Sequence, residues 1–117
     1  MAEDLRPVYS VRPATAGDLQ TVRHLYGQIS SDVSNIDADL PDVLNSPSAF
    51  CVIVETGGRP VGMAFCCVRN SLSAGRKMVI DDIVVDREAR GTGLGRWLLA
   101  YVIDEARMRM YSVWLRE

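Results

Sequence analysis

The chain has 117 residues, 48% of them hydrophobic, and carries 13 Lys plus Arg against 15 Asp plus Glu, a net charge of −2. That length holds a single domain, residues 1–117, large enough to bury a core without help from disulfides or metal. Disordered and collagen-like chains are excluded by the composition, and the missing basic excess argues against nucleic acid as a partner.

The longest apolar run, Val61 to Val68, falls far short of the roughly 20 residues that a bilayer requires. The opening Met1-Ala2-Glu3-Asp4-Leu5-Arg6 has no signal-peptide pattern, so the expectation is a cytoplasmic protein with no membrane contact. Cys51, Cys66 and Cys67 lie in strand-like segments with neither CxxC spacing nor a nearby histidine. They read as buried, reduced thiols, and no metal site is expected.

In chain order, Val8 to Arg12 is a short extended segment. Thr15 and Asp18 resemble a capping box that opens a helix running to about Ser30, with Leu19, Val22, Leu25, Tyr26 and Ile29 on one face. The stretch Ser31 to Ser48, with Pro41 and Pro47, reads as irregular apart from one helical turn near Asp42. Phe50 to Glu55 and Val61 to Val68 read as an antiparallel hairpin turning at Thr56-Gly57-Gly58-Arg59-Pro60. A third strand, Met78 to Val85, follows the loop containing Gly75. These strands are nearly continuous in apolar residues, a pattern of sheets covered by helices on both faces. From Gly93, the residues Leu94, Leu98, Tyr101, Val102 and Ala106 share a helical face, with Glu105 and Arg109 paired on the other. Tyr111 to Leu115 is the last strand.

The most informative segment is Ile83-Val84-Val85-Asp86-Arg87-Glu88-Ala89-Arg90-Gly91-Thr92-Gly93-Leu94-Gly95-Arg96, a strand, a charged turn, then glycines opening a helix. Glycines at 91, 93 and 95 allow close backbone approach, and the free amides and dipole of a helix start attract an anion such as a pyrophosphate. Arg90 and Arg96 can add charge, unless they are solvated or paired with Glu88. A Walker A loop requires Gly-Lys-Ser/Thr where this chain has Gly95-Arg96-Trp97. The dinucleotide fingerprint G-x-G-x-x-G also differs from the G-x-G-x-G found here, which starts only after Asp86 to Arg90.

Arg90-x-x-Gly93-x-Gly95, preceded by Ile83-Val84-Val85 and followed by Leu98-Leu99, resembles the acetyl-CoA motif of the GNAT superfamily of N-acetyltransferases. The order of elements from Val8 onward resembles that family as well. The resemblance implies an α/β fold with a mixed, mostly antiparallel central sheet and helices on both faces. It implies acetyl-CoA as co-substrate, with the pyrophosphate on Arg90, Gly91, Thr92, Gly93, Leu94, Gly95 and Arg96 and the pantetheine arm along the backbone of Ile83, Val84 and Val85. A strand N–H near Val84 would meet the oxyanion. The strands Ile80 to Val85 and Tyr111 to Leu115 are expected to splay apart around that arm. The family continues with a further helix and two strands, and this sequence stops at Glu117, so that part of the fold is expected to be lacking. No residue matches the tyrosine that serves many members as general acid; Tyr101 and Tyr111 read as core or strand residues.

Amine acetylation requires a neutral nucleophile, and Asp81 and Asp82 are the candidates to bind the acceptor or collect its proton, against a structural role for both. As neighbours on a strand they are expected to face opposite ways, so that only one enters the acceptor pocket. Some relatives place a glutamate after Trp-Leu in the last strand, where this chain has Arg116 and then Glu117; His24 reads as a surface or capping residue.

The expected activity is acetyl transfer from acetyl-CoA to a primary amine of a small molecule by direct attack. A non-catalytic CoA-binding or assembly module is the alternative, and a dinucleotide-binding fragment with Glu117 on a ribose is the weaker one. An apolar edge at Val113, Trp114 and Leu115 predicts a homodimer, or another chain covering residues 111–115.

Overall fold

Gly57 and Gly58, at φ of 58° and 77°, reverse the chain in a tight two-residue turn that only residues tolerant of positive φ can form. They join strands β2 (Ala49–Thr56) and β3 (Arg59–Ser71), so the turn is shorter than the five-residue loop expected from the sequence. A computed structural model describes residues 8–116. Before this hairpin come β1 (Ser10–Pro13), a 3-10 turn (Ala16–Asp18), α1 (Leu19–Tyr26) and α2 (Ser34–Asn45). After it come β4 (Gly75–Val85), a second 3-10 turn (Arg87–Ala89), α3 (Leu94–Met108) and β5 (Ser112–Leu115).

Among the described residues the sheet has the order β1-β2-β3-β4-β5. The first three pairings are antiparallel, and β4 and β5, joined through α3, run parallel. Both faces are covered. Leu94, Leu98, Val102 and Ala106 of α3 are fully buried against Val54, Val61, Ala64, Cys66, Met78 and Ile80. On the other face Val22 and Leu25 of α1 and Leu40 of α2 pack on Ile53, Met63 and Val84. Burying each such aliphatic side chain contributes about 1.5–3 kcal/mol, so the two layers clamp the sheet from both sides. None of the described helices is long and apolar enough to cross a membrane.

Two expectations require correction. The stretch Ser31 to Ser48 is not irregular: α2 occupies Ser34–Asn45 with Pro41 inside it. Ile36, Leu40 and Leu44 recur every four residues and pack on the core, and that burial outweighs the cost of a proline in the helix. The second correction concerns the acidic pair. Register shifts between β3 and β4, where Phe65 faces Asp82 and Cys66 faces Ile80, leaving Asp81 as the extra residue of a bulge. Met78 and Ile80 before the bulge, and Ile83 and Val85 after it, all lie on the α3 side, whereas Val84 lies in the α1/α2 core. Alternation is therefore broken at this point, and Asp81 and Asp82 both face the α1/α2 side rather than opposite sides.

The capping box is present: the Asp18 carboxylate accepts the Thr15 amide at 2.7 Å and also binds Arg12, with 2.8 and 2.7 Å contacts. The Arg12 guanidinium is the main reason that the Asp18 carboxyl is held down at about 2. Cysteines 51, 66 and 67 are free thiols, with Cys66 buried and the others half-buried. Burial pushes the Cys66 thiol up to about 12 and Cys51 to about 11, which keeps both protonated and unreactive.

Candidate functional site

Among the described residues, β4 extends beyond its pairing with β5. Pairing with β5 stops at Ile80 opposite Leu115, and the Arg116 amide closes it by donating to the Ile80 carbonyl at 3.1 Å. From Asp81 to Val85, β4 is bonded through β3 only, so its outer backbone groups have no strand partner among the described residues. An extended ligand can add to such an edge as another strand would.

Beyond Val85 the chain turns through Asp86 into the glycine loop. Gly91 and Gly93 adopt φ of 81° and 86°, and a Cβ at either would point into open space. Gly93 is the N-cap of α3, and Trp97 supplies the first amide bonded back to it, at 3.0 Å. The amides of Leu94, Gly95 and Arg96 are thus the unpaired donors of the helix start, and the helix dipole adds partial positive charge there. Gly95 is a helical residue of α3, and a methyl there would make an ordinary contact with Val85 Cγ2 at 3.7 Å. Thr92 ties the loop by donating its hydroxyl to the Ala89 carbonyl.

The loop's arginines are not paired with Glu88, which binds Arg59 at 3.1 Å instead. Arg90 folds back so that Nε donates to the Val85 carbonyl at 3.3 Å, and Arg96 is exposed. A residue that the sequence did not single out sets the start of the loop. Gln28, just past α1, accepts the Arg87 amide at 2.7 Å and donates to Asp86 Oδ1 at 2.8 Å. The exposed His24 lies 3.9 Å from the same Asp86 oxygen, a surface position as expected. Gly62 was also missed: a Cβ there would come 3.0 Å from the Val84 carbonyl of β4, a tight backbone contact, while Leu94 and Leu98 of α3 would lie at ordinary distances of 3.5 and 3.9 Å.

On the opposite face, Tyr26 of α1 donates its hydroxyl to Asp82 Oδ2 at 2.7 Å. Burial, with help from Asp82, raises the Tyr26 hydroxyl well above the ordinary tyrosine range, so it remains a donor. Asp81 forms an ion pair with Arg116 through Oδ1, while Oδ2 is buried without a hydrogen-bond partner among the described residues. Burial and the neighbouring Asp81 carboxylate raise the Cys67 thiol. The structure therefore brings both carboxylates together beside the open end of β4. Tyr101 stacks on Trp97 at 5.9 Å, and the Tyr111 hydroxyl accepts from Arg76, so neither tyrosine joins this cluster. Glu117 lies outside the described residues. Among those described, no group of His, Cys, Asp and Glu is arranged to hold a metal.

An antiparallel β1–β4 sheet with β5 added in parallel through α3, and a glycine loop between β4 and α3, match an acetyltransferase fold. The acetyltransferase (GNAT) family matches residues 18–117, and the chain belongs to that family. A transcriptional regulator from Bacillus halodurans C-125 has a similar structure, with TM-score 0.80 and 21% identity over 94% of this chain and 82% of that one. A possible acetyltransferase from Clostridium difficile 630 gives TM-score 0.83 and 16% identity, covering 93% of this chain and 79% of the other. An aminoglycoside N-acetyltransferase in complex with CoA gives TM-score 0.80 and 17% identity over 95% and 78% of the two chains. At these identities the likeness shows the fold. No curated protein matches the sequence.

Proposed function

We propose that the chain binds acetyl-CoA and transfers its acetyl group to a primary amine of a small molecule. The observation that carries this reading is the adjacency of the Gly91–Gly93 loop at the start of α3 to the end of β4, whose outer edge at 81–85 has no strand partner among the described residues. The chain's residues fit the co-substrate. Gly91 and Gly93 leave space for a pyrophosphate beside the amides at 94–96, and exposed Arg96, with Arg90 once it releases the Val85 carbonyl, can turn toward it. Along the segment Ile83, Val84 and Val85, the groups of Val84 face β3, so the outward-facing backbone of Ile83 and Val85 would supply strand-like bonds for the pantetheine arm.

Acetyl-CoA, which the family uses, supplies the activated acyl group as a thioester. The amine nitrogen attacks the thioester carbonyl carbon, and a C–N bond forms as the C–S bond breaks and CoA leaves as the thiolate. An outward strand N–H beside Val84 would meet the charge that develops on the carbonyl oxygen. Asp82, oriented by Tyr26, takes the proton that the amine loses, directly or through water, with Asp81 beside it. We extend the proposal to a second copy of the chain pairing along β5, where Trp114 and Leu115 are 50% and 65% exposed.

Calorimetric titration with acetyl-CoA, NAD and ATP tests the reading. It predicts one acetyl-CoA per chain and no heat from the other two. Binding of NAD in place of acetyl-CoA refutes it, and tight binding of acetyl-CoA with no turnover of any amine leaves only a CoA-binding module.

A further inference from the structure

The face that carries Asp81 and Asp82 also contains a narrow cavity of about 150 Å³, walled by α1 and α2 and floored by the sheet. Its lining is almost wholly apolar: Val22, Ile36, Leu40, Val43, Met63 and Phe65. The Cys51 thiol and three polar side chains complete the lining. Tyr26 lines the cavity while its hydroxyl holds Asp82, which is also the register partner of Phe65 on the cavity floor. On the outer wall, Asn35 and Asp39 of α2 line the cavity and are exposed. Arg23 binds Asp37 at 3.5 Å, whereas Asp39 has no ion pair among the described residues.

From this arrangement we infer that the acceptor is a linear aliphatic diamine, whose chain fills the apolar cavity between a reacting amine at Asp82 and a distal ammonium at Asn35 and Asp39. This inference rests on the acetyl-transfer reading and narrows its substrate. At roughly 30 Å³ per water-sized group, the cavity holds a chain of about five heavy atoms. Methylenes suit its walls, while a carboxylate or peptide group would be buried there without partners. Two carboxylates match two cationic ends: Asp82 beside the cavity floor, and Asp39 at the rim. Since Asp39 is exposed, its attraction for an ammonium is modest and falls with salt.

The test compares 1,5-diaminopentane with n-pentylamine, which has the same chain and a single amine, in two measurements on the full chain. The first is calorimetric binding in the presence of CoA, and the second is release of CoA thiol from acetyl-CoA. The diamine is expected to bind roughly fivefold more tightly and to have a KM lower by the same factor, an advantage that shrinks in high salt. Asp39→Asn should remove most of that advantage and Asp39→Lys reverse it, while Asp104→Asn on the exposed side of α3 leaves it intact. Equal binding of the two amines, or an advantage that survives Asp39→Lys, overturns the diamine inference and leaves acetyl transfer standing. So does preference for an amino acid ester over both. If acetyl-CoA itself does not bind, the acetyl-transfer reading fails instead, and the amine binding measurement still decides the cavity's specificity.

Discussion

Alanine at Gly93 separates the loop's conformational role from its ligand role. The glycine sits at φ 86°, where an L-residue costs about 1–2 kcal/mol. A Cβ there meets no atom within 4 Å, so no packing clash adds to that strain. The variant should fold and melt a few degrees below the parent, by the usual scaling for a domain near this size. Its methyl, however, projects into the space in front of the α3 amides. Losing one hydrogen bond to a charged phosphate costs about 1.5–3 kcal/mol, so acetyl-CoA affinity should fall roughly ten- to a hundredfold. Calorimetry with acetyl-CoA, run beside thermal melts, measures both effects. Gly95→Ala is the folding control: its backbone is helical and its methyl would make an ordinary contact at 3.7 Å, so it should melt above the parent. A Gly93→Ala protein that melts as expected and binds acetyl-CoA like the parent would refute the assignment of this loop.

The acidic pair should respond unequally. Asp82→Asn lowers kcat by at least tenfold with acetyl-CoA affinity little changed, and the loss eases at high pH as more amine is neutral; Asp81→Asn costs less. Tyr26→Phe, which removes the donor that orients Asp82, should lower kcat without changing acetyl-CoA binding; small and equal effects of all three changes would return these residues to a structural role. Asp18, held at about 2 chiefly by Arg12, is depressed from 3.8, so its stabilisation is complete above about pH 4 and lost as pH falls through about 2. Urea unfolding should show roughly 2 kcal/mol of stability lost over that window, and Arg12→Ala should flatten the loss. If β5 edges pair, sedimentation shows a dimer that Trp114→Lys dissociates, and a monomer indifferent to that change removes the proposal.

Much of the fold was legible because it rests on local signals. Alternating glycines after an apolar strand marked the start of α3, and Gly57-Gly58 marked the β2–β3 turn. What was missed depends on tertiary packing. Proline 41 read as a breaker, yet Ile36, Leu40 and Leu44 hold α2 together by burying one face. The bulge at Asp81 is invisible to a period-two reading, which put the two carboxylates on opposite faces. An apolar run that fails to alternate through Ile80-Asp81-Asp82-Ile83 was the available signal: two polar residues between two that share a face imply an extra residue. Gln28 gave no local signal, since its partners Asp86 and Arg87 are distant in sequence. The same was true of Gly62, whose close neighbour is the Val84 carbonyl of another strand.

The central claim is acetyl transfer at the β4 edge, and a stoichiometric turnover measurement tests it most directly. Purified chain is mixed with acetyl-CoA and a primary amine, and free CoA thiol and N-acetylated amine are quantified together over time. The account predicts that both appear in equal amounts, at a rate that depends on the amine and falls sharply in Asp82→Asn. Thiol release that is independent of the amine, or no acetylated product from protein that binds acetyl-CoA, would contradict it.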